Sequence, residues 1–124
     1  MSVRQPTSNR QFLTSLIAAF KIDGSEVTTS YAKTGLLKGL YIGTVKKGSG
    51  ADSNLVTIRL NNPLGLAPFV LIQPVTLNCV PREESVGVQE IAIRTLQSDY
   101  ATKADDCDMV VYLFGTEGIR EGSY

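Results

Sequence analysis

Apolar and polar positions alternate every second residue over much of this chain. Val56, Ile58 and Leu60 alternate with Thr57 and Arg59, and Ile91, Ile93 and Thr95 alternate with Glu90, Ala92 and Arg94. A period of two puts successive side chains on opposite faces, so each stretch is expected to be a half-buried strand, the second within residues 86–96. Residues 69–77 form a nearly continuous apolar run instead. It reads as a strand covered on both faces or at a sheet centre, with Pro74 demoting part of it to an edge or a bulge. Residues 109–114 predict another buried strand, closed by Gly115.

Turn signals separate these runs. Asp23-Gly24 is a strong short hairpin signal, because both central residues of a type I′ turn need positive φ. It is expected to join a strand ending near Ile22 to one over residues 26–31. Gly35, Gly39 and Gly43 punctuate residues 36–45, read as a strand with a bulge or a close backbone approach. Residues 46–54 read as a polar loop with Gly48 and Gly50, and residues 61–68 as a turn-rich connection with two prolines. The first eleven residues are polar and read as an extended arm. Ser8 followed by Gln11 fits a capping box opening a short helix, with Phe12, Leu16 and Ala19/Phe20 on one face. The competing reading is a strand over residues 17–22, and the helix is the preferred one.

Some seven or eight strands with turns every eight to twelve residues predict an all-β fold: a single antiparallel β-sandwich or barrel, jelly-roll-like. The expected organisation is an arm over residues 1–11 and one β-sandwich domain over residues 12–124. A length of 124 residues suits one domain, and 43% apolar against 19% charged residues places it among globular chains. Twelve basic residues balance twelve acidic ones. That balance argues against a duplex nucleic-acid partner, which asks for a basic excess, and removes a barrier to self-association. No apolar run reaches the roughly 20 residues of a membrane span, and no convincing cleavage site follows residues 12–20. The expectation is therefore a protein made in a cytoplasm and left unprocessed. Cys79 and Cys107 match no zinc spacing, and two cysteines are too few for a disulfide scaffold. They read as strand residues with buried free thiols rather than as a bridge.

The candidate chemistry is sparse. The chain has no histidine, which removes the commonest general acid–base group, every Ser-His or Cys-His nucleophile pair and the commonest transition-metal ligand. Phosphate-cradling and nucleophile-elbow motifs are absent as well. Carboxylates remain: Asp99, Asp105, Asp106 and Asp108, with Glu83 and Glu84 elsewhere. Asp105, Asp106 and Asp108 are a weak calcium candidate whose spacing matches no EF-hand, and the plainer expectation is a solvated turn. Lys33, Lys38, Lys46 and Lys47 lie near Tyr31 and Tyr41, but lysines on strands and loops more often guard sheet edges. Within and beside the arm, Arg4, Gln5, Pro6, Arg10 and Phe12 are the candidate partner-binding residues, suited to ordering on another surface.

Three stretches carry a resemblance: "NLVTIRLNNPLGLAPFVLIQPVTLN", "SVGVQEIAIRTLQSD" and "KADDCDMVVYLFGTEG". Their succession of strand, Pro-containing turn, long apolar strand, Asp-rich turn and glycine-closed strand resembles small virion structural proteins of tailed bacteriophages. The likeness covers about half the chain, residues 55–115, and describes strand connectivity without carrying over any site residue. It implies a non-enzymatic capsid decoration or cement protein located in the virion and needing no cofactor. Its partners would be the major capsid protein or other virion subunits, with a homo-oligomer, a trimer by preference. The alternative is a carbohydrate- or receptor-binding β-sandwich module of a fibre or spike, for which Tyr31, Tyr41 and Tyr100 are the available aromatics.

Overall fold

A computed structural model describes residues 16–32 and 43–115. The expected arm with Arg4, Gln5, Pro6, Arg10 and Phe12, together with Lys33, Gly35, Lys38, Gly39 and Tyr41, lies outside the described residues. Seven strands run in chain order: β1 (Leu16–Ile22), β2 (Gly43–Lys47), β3 (Leu55–Leu60), β4 (Phe69–Pro74), β5 (Val80–Val86), β6 (Glu90–Leu96) and β7 (Met109–Phe114). A single 3-10 turn, Gly50–Asp52, interrupts the β2–β3 connection. The strands form two antiparallel sheets, one ordered β1-β7-β4 and the other β2-β3-β6-β5. The all-β sandwich expected from the alternation is the observed fold.

The inner faces of both sheets make one core. Phe20, Ile22, Met109, Val111 and Leu113 from the first sheet join Val45, Ile58, Leu60, Ile91 and Ile93 from the second in a single buried cluster. Each set occupies every second position of its strand, as a two-layer sandwich requires. The β3 and β6 alternations and the β7 strand appear where the pattern put them.

Several elements differ from expectation. Residues 16–20 are strand, not helix: β1 pairs antiparallel with β7 along its length, Phe20 opposite Val111 and Ile22 opposite Met109. A bulge between Leu16 and Ala18 leaves Ile17 and Ala18 both buried, so the two-residue period breaks there and imitates a helical face. The strand expected over residues 26–31 does not form. The chain folds back on itself, with the amides of Glu26 and Val27 donating to the Asp23 carbonyl, and only Ala32 makes an isolated bridge, to Val45. Gly24 serves close approach, not positive φ, since a Cβ there would overlap the Asp106 backbone. Gly43, read as a close-approach position, is one: a Cβ would lie 2.6 Å from the Arg59 carbonyl oxygen. The polar loop begins later than expected, because β2 runs through Lys47. β5 has no counterpart in the alternation, since its Arg82-Glu83-Glu84-Ser85 stretch is exposed.

The cysteines also differ. Cys79 and Cys107 are joined as a disulfide, with Cα atoms 6.2 Å apart, where free thiols were expected. Neither lies in a strand. Cys79 sits immediately before β5 and Cys107 two residues before β7, where two turns meet over Ala104 in a small buried cluster.

Candidate docking surface

The two outer faces of the sandwich differ in chemistry. On the four-stranded sheet the outward side chains include several charged pairs. Arg94 forks onto Glu84 with bonds of 2.7 and 2.8 Å, and also reaches Asp52 at 3.2 Å. Arg59 lies 3.9 Å from Glu90. Such a face is content in water.

The three-stranded sheet is less charged, and its apolar side chains are open chiefly toward β4, since Ala19 on β1 is covered. Its register aligns Leu16, Phe114 and Phe69 across the sheet, then Ala19, Tyr112 and Leu71, then Lys21, Val110 and Gln73. The Tyr112 and Phe114 rings lie 6.5 Å apart on the middle strand, and the Tyr112 hydroxyl bonds the Gln73 side chain. At the β4 edge, Phe69 is 67% exposed and Leu71 56% exposed, while Val70 and Ile72 turn inward against the core. Residues 69–77 were expected to be covered on both faces. They are not: β4 is an edge strand, as Pro74 foretold, and Val75 and Leu77 beyond it are exposed too. Five of the eight large apolar side chains exposed among the described residues fall between Leu66 and Leu77. From Leu60 to Pro81 the sequence contains no charged residue. An exposed apolar group of this kind marks a contact surface more often than a lone exposed leucine does.

The carboxylates have separate local roles. Asp108 accepts the Gly24 amide at 2.9 Å, while its own amide donates to the Thr76 hydroxyl at 2.8 Å, tying the turns after β1 and β4 to the start of β7. Asp105 accepts from Ser53, and Asp106, at a φ of 58°, pairs with Lys47 at 3.2 Å. The calcium candidate is thus spread over three sets of partners, and among the described residues no three acidic or cysteine side chains group around one point. Asp99 accepts the amides of Ala101 and Thr102 at 2.9 Å and the Thr102 hydroxyl at 2.5 Å. The hydroxyl first, then the amides, lower its carboxyl from the ordinary 3.8 to about 2. A lowered acid favours folding fully above its unfolded value, and that contribution disappears as pH falls through the folded one. Titration followed by NMR is therefore expected to place the Asp99 midpoint near 2, with the Thr102 amide signal moving with it. A midpoint near 3.8 would show that the turn does not hold its carboxylate.

A buried polar knot was not foreseen. Asn54 and Thr95 are both 2% exposed. The Asn54 amide donates to the Thr95 carbonyl at 2.6 Å, and the Thr95 hydroxyl lies 2.6 Å from the Ala104 carbonyl. It joins β3 to β6 and satisfies buried backbone groups, so its role is structural. Beside it lies a cavity of about 10 Å³, room for one water at most.

Of the aromatics available for a sugar, Tyr31 borders an open hollow of about 280 Å³ with Thr44, Arg59, Asn61 and Gln89. Lys46 Nζ sits 4.7 Å from the Tyr31 ring centre, and the Tyr31 hydroxyl reaches Glu90 at 3.4 Å. Tyr100 is exposed on the turn after β6 at a φ of 60°. Compared with protein-family models, with curated proteins and with solved structures, the chain matches none.

Proposed function

We propose that this chain is a non-enzymatic structural subunit of a virion, a capsid decoration or cement protein that docks on neighbouring subunits through the apolar side of its three-stranded sheet. The observation that carries this role is β4: an edge strand with Phe69 and Leu71 facing water, inside 22 residues without a charge. The partners are the major capsid protein or other virion subunits, and further copies of the chain. Arg4, Gln5, Pro6 and Arg10 of the arm, with Phe12 beside it, supply a second contact on the shell. Two other observations support the role. Cross-linked cysteines suit an oxidising setting such as a virion surface. Asp99, Asp105, Asp106 and Asp108 are engaged in turns and an ion pair.

Cosedimentation with assembled shells tests this. The wild-type protein is expected to pellet with shells, and a Phe69→Lys/Leu71→Lys variant to stay largely in the supernatant with its thermal unfolding unchanged. Equal pelleting of the two would move the contact off β4, and failure of the wild type to pellet would remove the shell-binding role.

A second role is favoured by the hollow beside Tyr31, whose aromatic wall and amides from Asn61 and Gln89 suit a small carbohydrate or receptor group. At about 280 Å³ and open to water, it has room for little more than one sugar ring. Binding on a glycan array that Tyr31→Ala abolishes would establish that role over the first.

A further inference from the structure

We infer that the occupant of the β4 edge is the β4 edge of a second copy of this chain, so that two three-stranded sheets join into one six-stranded sheet across a twofold axis. The inference rests on the docking role proposed above and names the partner at this edge.

Among the described residues the sheets have four edge strands, β1 and β4 in one and β2 and β5 in the other. An edge presents unpaired backbone donors and acceptors to any passing strand, and proteins normally block it with charges, bulges or proline. Three of the four edges are blocked in this way. β1 carries the Leu16/Ala18 bulge and Lys21. β2 carries Lys46 and Lys47, and Ala32 bridges to its Val45. β5 carries Pro81, Arg82, Glu83 and Glu84, with a bulge between Glu83 and Ser85. β4 has neither charge nor bulge, and its register with β7 is unbroken from Phe69 to Pro74. Its one block, Pro74, stands at the last position and leaves Phe69, Val70, Leu71, Ile72 and Gln73 able to pair.

Charge and exposure both fit a second copy. A neutral strand meeting itself incurs no like-charge repulsion, and it offers an ion-pairing partner nothing to recognise. The chain as a whole is also neutral. Leu66, Phe69, Leu71, Val75 and Leu77 are each more than half exposed. They flank the free β4 edge, so pairing two copies covers part of this apolar area along with the paired backbone.

Closure follows from the edges. Since β4 is the one unblocked edge among the described strands, it has only another β4 to meet, which makes an isologous pair closing at two. A threefold ring would need a second receptive edge. Centred on Leu71, antiparallel pairing sets Leu71 against its own copy and Phe69 against Gln73, with the Leu71 Cβ atoms about 4.5–5.5 Å apart. That separation suits a disulfide after modest adjustment.

Sedimentation and cross-linking of the full chain test this. The wild-type protein is expected to sediment at twice the 13.4 kDa of one chain, and Leu71→Lys at the single mass with unchanged circular dichroism. Leu71→Cys, oxidised in solution, is expected to give a covalent dimer on a non-reducing gel, whereas cysteine at Thr57 on the opposite face gives none. A monomeric wild type without cross-linking at Leu71 overturns the pairing. If that monomer still pellets with shells, the shell-binding role survives alone; if it does not, both fall. A threefold mass insensitive to Leu71→Lys also overturns the β4 pair.

Discussion

A variant lacking both cysteines, Cys79→Ala/Cys107→Ala, is expected to lose about 3–4 kcal/mol of unfolding free energy. The bridge spans 28 residues of sequence and ties the start of β5 to the turn before β7. Those two points belong to different sheets, so opening the bridge frees the unfolded chain across the whole β5–β6 hairpin and the turn that follows. The loop length sets the magnitude, because closing a loop of this size removes conformational entropy from the unfolded ensemble. Urea unfolding with and without reductant measures it. The wild-type midpoint should fall on reduction, while the variant, already low, should not move. Equal wild-type midpoints under both conditions would contradict the bridge's contribution.

Phe20→Ala is the other large effect, expected to cost about 3–5 kcal/mol. Phe20 is fully buried on β1, in the cluster that both sheets share. Its pairing opposite Val111 on the central strand β7 leaves its neighbours little freedom to close over the hole. Phe69→Ala, on the same sheet but facing water, is expected to cost under about 1 kcal/mol in the isolated chain. The contrast separates core from surface: one phenylalanine holds the fold, and the other faces water. Similar losses at both positions in denaturant melts would mean that Phe69 is covered within its own chain.

The sequence made the interior strands legible because each has one wet and one dry face. Ile58 and Ile93 are buried while Arg59 and Arg94 meet water, and that contrast is what a two-residue period reports. Elements without the contrast were read poorly. β5 has four consecutive polar residues, Arg82 to Ser85, and a bulge among them, so periodicity had nothing to register. β1 lost its period to a bulge and looked helical. The Asp23-Gly24 turn was located correctly, but Gly24 is selected by the Asp106 backbone, a neighbour 82 positions away that local signals cannot contain. The disulfide depends likewise on two turns meeting in space, although the spacing of two lone cysteines gave no hint of it.

The β4 strand was misread for an instructive reason. A strand buried on both faces and an exposed edge strand without charges have the same composition. Phe69, Leu71 and Leu77 therefore read as core. The available signals were Pro74, which suits an edge, and the 22 uncharged residues bracketed by Arg59 and Arg82. In the acidic stretch Asp105, Asp106 and Asp108 bond a hydroxyl, an ammonium and a backbone amide, the kind of local partner aspartates readily take.

Amide hydrogen exchange on the protein within its assembly, against the protein diluted until it dissociates, tests most directly whether the three-stranded sheet is the contact surface. Assembly is predicted to slow exchange across residues 69–73, where the free edge of β4 gains hydrogen-bond partners, and to leave β2 and the β5 edge as they are in the dissociated protein. Unchanged exchange in β4, with slowing confined to the four-stranded sheet, would contradict the account.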